Sequence, residues 1–403
     1  MIMDQQKDED KSLVFNNFIE EDGKIWFWAT NYNALFQCSI TGGIAKNVWG
    51  LAVCEDAAGS LYSKIVKFDN KIIGIPMLSD KILVYDTSTG DARMIPIPAQ
   101  DWGNPYTLER GRFWDGVVYD KYVFMIGFWS TKILKFDVVN EVVVDVLDLY
   151  DEMDIPLIKR YLSFKNAVLV NSRILIPAYT RNYVFILNPM NMQYEKLVIE
   201  KCGNGFSGIA YDGEDIWLSP RERGQFVQWR IQQNTVILHD NYPTEFKLKE
   251  SANISCIEYC NGKIYELPYM ANKVISLKKT VGKVIMQTED AFNSYYEGLG
   301  THNEITKYLF VQRVGMRLYS YCTESRRVLT FDTESGLLSE LRFQISEEDY
   351  LFFIMRRWGI TEEHGNLSLF IESLYDYIKQ SSKVTEKSST GEVIYNKIKE
   401  CLE

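Results

Sequence analysis

Histidine is scarce in this sequence. There are three in 403 residues, His239, His302 and His364, each in a different segment. No H-x-H or H-E-x-x-H pattern exists, so the usual histidine-built metal motifs are excluded. The seven cysteines (positions 38, 54, 202, 256, 260, 322 and 401) are odd in number and scattered singly, except for Cys256 and Cys260. With no second pair and no neighbouring His they suit neither a disulfide framework nor a zinc site. Buried free thiols in a reducing cytoplasm are the expectation, with no metal and no cofactor. No run approaches the roughly 18 apolar residues of a membrane helix. The opening MIMDQQKDEDKSL lacks the apolar stretch of a signal peptide. A cytoplasmic chain without a membrane span is therefore expected. Basic charge is also in deficit: the formal net charge is −10, which argues against nucleic acid as a partner, since phosphate binding wants a net basic face. No G-x-S-x-G, P-loop or G-x-G-x-x-G stands between a strand and a helix.

What is present is a repeat. The stretch 22–43, DGKIWFWATNYNALFQCSITGG, reads as turn, strand, loop, strand, turn. Asp22-Gly23 suits a tight hairpin turn, and the aromatic run 25–28 suits a buried strand. The second strand recurs through Cys38, Tyr85, Phe136, Leu187, Trp229, Leu277 and Phe331, at intervals of 47, 51, 51, 42, 48 and 54 residues. A polar residue follows each of these anchors, and a turn comes soon after. The strand before it recurs too, at 25–28, 72–75, 123–126, 174–176, 216–218, 264–267 and 318–321. Four copies stop at a proline (Pro76, Pro177, Pro220, Pro268), which cannot donate to a ladder. An inner strand precedes each pair (64–68, 116–119, 208–211) and an outer strand follows it (92–97, 142–147, 337–343). Four antiparallel strands at a period in the forties predict the blade of a β-propeller. Two β-sandwiches would also use short strands, but they do not predict seven aligned copies. The expected fold is all-β, a seven-bladed propeller of four-stranded antiparallel blades over residues 13–345. Residues 1–12 are expected to be a flexible start.

Beyond 345 the composition turns helical. Ser346 followed by three acids reads as a helix start, with further helices expected from Asn366 and over 392–402. This tail, 346–403, is expected either to cover a propeller edge or to serve as a docking arm. No N-terminal strand is apparent to complete the last blade, so the tail is also a candidate to seal the ring.

The unit D-G-x-I-W-F…N-x-φ-x-φ-D-x-x-T-G resembles the repeats of kelch-like and streptogramin-lyase-like bacterial propellers. It lacks the Gly-Gly doublet of kelch blades, the Gly-His and Trp-Asp signatures of WD40 blades, and the A-x-D-x-x-x-G of quinoprotein propellers. Resemblance to kelch-like propellers of low-GC Gram-positive bacteria implies a role in surface-glycan assembly. Resemblance to the lyases implies His and Glu side chains on neighbouring blades around a metal, for which His302, Glu297 and Glu304 are the only candidates.

Long links between blades (49–62, 98–113, 148–163 and 288–306), with the loops from second to third strand, open on one face, where function usually sits. Arg110, Arg112, Trp114, Arg160, Tyr161, Arg221 and Arg223 fall in them. Aromatic rings stack on sugar or peptide faces, and guanidinium forks grip carboxylate or phosphate. The repeated Asp86, Asp137 and Asp332 are assigned to local turn hydrogen bonds rather than acid–base work. The chain is therefore expected to be a non-catalytic binding or scaffolding propeller for an anionic or sugar-like ligand or a protein partner. The alternative is a lyase or hydrolase with its site in the axial pocket.

Overall fold

Hairpin turns set the pattern. Asp22 and Gly23, Asn171 and Ser172, and Asn261 and Gly262 all adopt positive φ, the paired left-handed geometry that matches the twist of flanking antiparallel strands. The structure, a computed structural model, describes residues 11–52, 59–98, 112–149, 152, 164–222, 224–247, 254–299 and 307–357. Two compact units are distinguished, Met1–Ser346 and Glu347–Glu403. The first contains seven antiparallel meanders, each with its four strands in chain order. These are blades 1 to 7, at 19–49, 62–96, 113–148, 168–198, 206–239, 254–288 and 308–341.

All seven anchors lie on the third strand of their blade. They pair across the sheet as Ile25 with Cys38, Ile72 with Tyr85, Val123 with Phe136, Ile174 with Leu187, Ile216 with Trp229, Ile264 with Leu277 and Leu318 with Phe331. Six clusters of buried side chains each join two consecutive blades, from 1/2 to 6/7. Both faces of a middle strand are therefore buried, which is why those strands read as continuous apolar runs rather than alternating ones.

The ring closes differently from the expectation. The outer strand of blade 7 ends at Leu341, and Phe343–Ile345 crosses to blade 1, where it pairs in parallel with Gly43–Trp49. Gly42, at φ 88°, permits this. A Cβ there would lie 2.6 Å from the carbonyl oxygen of Arg342, which accepts the Gly43 N–H at 2.7 Å. Residues 11–13 then pair with the crossing segment: Leu13 N–H donates to Phe343 O and Ile345 N–H to Lys11 O. Phe15 and Phe18 fill the join between blades 7 and 1. Phe15 stacks on Phe27 with ring centroids 4.3 Å apart and touches Phe310, Tyr321 and Phe343, while Phe18 packs edge-on against Tyr319. The N-terminal segment and one strand seal the join.

Two further differences concern the links. Link 288–306 holds a helix, α1 (Asp290–Gly298), whose Phe292 and Tyr296 are buried in the blade 6/7 cluster. The inner strands also start earlier than read from sequence, at Tyr62, Phe113 and Phe206, each with a bulge just after its first residue. In the second unit, helix α2 (Glu347–Arg357) carries Glu347, Glu348 and Asp349 in its first turn, where acids offset the helix dipole. The helices expected from Asn366 and over 392–402 lie outside the described residues. No helix among the described residues is long and apolar enough to cross a membrane.

Candidate functional site

Every inner strand begins at one end of its blade, the end where strand two turns into strand three. Hydrogen bonds tie that start to the preceding blade's loop. Leu61 N–H donates to Asn33 Oδ1, Arg112 N–H to Met77 O, Phe206 N–H to Ala178 O, and Lys307 Nζ to Ala271 O. Loops on this face are thus braced at the joins of blades 1/2, 2/3, 4/5 and 6/7.

Of the residues expected on it, Arg110, Arg160, Tyr161 and Arg223 lie outside the described residues, as do His302 and Glu304. Arg112 is partly occupied as a clamp. Its Nη1 donates to Ser79 O at 2.5 Å, and burial, opposed by the charge of Asp80, lowers its pKa. Trp114, half-buried, packs on Phe128 with centroids 4.8 Å apart, and Phe128 meets Trp129 edge-on at 5.2 Å. Phe128 N–H also donates to Arg112 O, so the three aromatics and Arg112 form one patch at the entry to blade 3. Arg221 ion-pairs with Glu222 and lies over the Tyr179 ring, 5.3 Å from its centroid. Glu297, near the end of α1, is exposed and ion-paired with Lys273 at 2.5 Å. The repeated aspartates cap their turns. Asp137 Oδ1 accepts from Val139 N and Asn140 N at 3.0 and 2.9 Å, and Asp86 and Asp332 bind the equivalent N–H groups.

Sequence reasoning missed a set of charges on the innermost strands. Lys64 Nζ lies 2.9 Å from Asp115 Oδ1, and Asp115 Oδ2 accepts the Ala167 N–H at 3.1 Å. One carboxylate therefore joins blades 2 and 3 to the segment leading into blade 4. Lys165 lies in that same segment. Burial pushes its pKa down to about 8, Cys256 opposes this, and the charge of Lys64 lowers it further. Glu258 of blade 6 is pushed up to about 7 by burial, against the Tyr259 N–H, Arg313 and Lys64. Arg313 of blade 7 reaches back to blade 6, where its Nη1 donates to Tyr259 O at 3.3 Å.

A signal for this set does exist. Phe15, Tyr62, Phe113, Phe164, Phe206, Ile254 and Tyr308 each stand 23 residues before an anchor, and all seven are buried. Five of them open their inner strands and two, Phe15 and Phe164, stand four residues before theirs; Lys64, Asp115, Lys165, Glu258 and Arg313 follow them by one to five residues. The opposite face carries a cleft of about 440 Å³ between blades 5 and 6, lined by Asp212, Glu214, Trp217, Tyr259, Lys263 and Lys279 among others. Its charges are mutually satisfied: Lys279 bridges Asp212, Glu214 and Asp215, and Asp212 accepts the Trp217 indole N–H at 2.8 Å.

No family model matches the chain. No curated protein matches it either. Solved structures do. A streptogramin B lyase superimposes with a TM-score of 0.55 at 13% identity, covering 82% of this chain and 94% of that one. Virginiamycin B lyase from Staphylococcus aureus gives 0.55 at 10%, covering 79% and 94%. PorZ, a surface component of the type-IX secretion system of Porphyromonas gingivalis, gives 0.51 at 12%, covering 83% of this chain but 39% of PorZ. Such identities show a shared fold alone. The streptogramin-lyase-like, seven-bladed architecture expected from the repeats is the one observed.

Proposed function

We propose that this chain is a binding or scaffolding propeller whose braced loop face takes an anionic or sugar-like ligand, or a segment of a protein partner. The observation that supports this best is the half-exposed trio Trp114, Phe128 and Trp129 with Arg112 beside it. Half-exposed rings held rigid by neighbours offer contact area at little entropic cost, and an arginine at their edge adds a charge-assisted contact. The seven-blade ring holds the loops fixed, so a ligand meets a preformed surface. The test is titration of the full chain and its Trp114→Ala variant with a sugar nucleotide, UDP-glucose, and a uronic-acid oligosaccharide, read by tryptophan fluorescence and calorimetry. Loss of one stacking platform is expected to weaken binding about tenfold, the equivalent of ~1.4 kcal/mol. Equal affinity of a folded Trp114→Ala variant for every ligand that binds the wild type would move the site off this patch.

A further inference from the structure

The outer edges of the blades are unequal. Among the described residues two outer strands reach seven residues, Gly43–Trp49 in blade 1 and Val142–Asp148 in blade 3. The first does not end its sheet, because Phe343–Ile345 pairs with it in parallel as a fifth strand. The second does end its sheet, with no strand beyond it among the described residues. We propose that this open edge of blade 3 is a docking site for an extended, basic segment of a protein partner, which adds to the sheet as a fifth strand.

Comparison of the edges leads there. An unpaired edge is normally guarded by charged side chains, above all lysine, by proline or by shortness. Blade 2 carries Arg93 and Pro96 on its outer strand, blade 4 Lys196 and blade 6 Lys283. Blades 5 and 7 offer five and four residues. Val142–Asp148 is longer than these and has no lysine, arginine or proline. Val142 and Val144 are exposed on it, and Val139 in the turn before it. A bulge at Val144 breaks the register once, but Asp145–Asp148 run regularly opposite Lys132–Lys135. That regular run exceeds the three residues over which Phe343–Ile345 pairs in blade 1, so an outer edge of this fold accepts an added strand of that length.

Charge selects the occupant. The two charged residues of the strand are both acids. Asp148 is held by Lys132 and Thr131. Asp145 is exposed, accepts the Val146 N–H at 2.8 Å, and has no cation within ion-pair distance among the described residues. Its charge bears on Lys135, whose ammonium donates instead to the carbonyls of Pro189 and Met190. A second copy of this edge would set acid against acid, whereas a lysine or arginine on an incoming strand meets an unpaired carboxylate. Apolar residues alternating with those cations would lie against the exposed valines.

This inference does not lean on the loop-face reading, because it concerns a sheet edge and not the loops. The experiment is titration of the full chain with a short peptide of alternating valine and lysine, and with its valine–glutamate counterpart, read by calorimetry and by amide hydrogen exchange. The expected result is saturable binding of the lysine peptide, at least about tenfold weaker binding of the glutamate peptide, and slowed exchange within residues 142–148. Asp145→Lys changes an exposed side chain and should reverse the preference between the two peptides. Attraction of a cationic peptide to a chain of net charge −10, without addition to this edge, would leave exchange at 142–148 and the preference of Asp145→Lys unchanged. Either of those outcomes, or no saturable binding of the lysine peptide, would overturn the inference.

Discussion

Glu266 is the residue most at odds with its surroundings. Equivalent second-strand positions in the other blades hold Phe27, Gly74, Met125, Ile176, Leu218 and Ser320, aligned through the anchor pairs. Glu266 is fully buried, neither carboxyl oxygen has a hydrogen-bond partner, and burial holds its pKa well above the ordinary value. An acid that stays protonated in the fold but ionises when unfolded costs stability once the pH passes its unfolded value of about 4.3, and the cost grows with pH. Glu266→Met is thus expected to stabilise the chain by about 1–3 kcal/mol near neutrality. Thermal melts should show a larger gain at pH ~8 than at pH ~5. A lower melting temperature at both values would mean that the carboxyl has a role the apolar side chain cannot fill. Sequence alone exposed none of this, because a Glu inside an otherwise apolar strand reads equally well as a solvated edge.

Among the elements, the turn after the third strand was legible, and in blades 2, 3 and 7 its aspartate was correctly placed. Asp137 shows the strongest case. Burial opposes its ionisation, but the ammonium of Lys121 at 2.7 Å and the Asn140 backbone and side-chain N–H groups hold its pKa down at about 2. A lowered carboxylate pKa stabilises the fold above the unfolded value, and that contribution is lost as the pH falls from roughly 4 towards 2. Asp137→Ala should therefore melt several degrees below wild type at neutral pH, with the gap closing as the pH approaches 2.5. A gap that persists unchanged in acid would assign the loss to packing rather than to charge. Helix α1 was not legible: its pattern sat inside a link framed by two strand repeats, and only burial of Phe292 and Tyr296 against blades 6 and 7 gives it a reason to form.

For the whole molecule the critical feature is the join. Six blade interfaces are made by consecutive meanders, but the seventh depends on residues from both ends of the propeller segment. Phe15, fully buried against Phe27, Phe310, Tyr321 and Phe343, should cost about 3–5 kcal/mol on replacement by Ala. The readout is the urea midpoint at an unchanged slope. A loss below about 1 kcal/mol would show that the ring holds without this wedge.

The sequence by itself determined the blade. Turn pairs, prolines at strand ends and seven recurring anchors are local signals, each carried by a few adjacent residues whose backbone preferences do not depend on distant contacts. It also determined that Arg112, Trp114 and Arg221 would lie at the end where strand two turns into strand three, because a meander returns its connections to fixed ends. Tertiary structure alone decided how the ring closes. Phe343–Ile345 lies about three hundred residues from its partners in blade 1, and a pairing over that separation leaves no local period to read. Tertiary structure also decided which charges of different blades meet. Lys64, Asp115, Lys165, Glu258 and Arg313 sit on five different repeats, and only closure of the circle brings those repeats together.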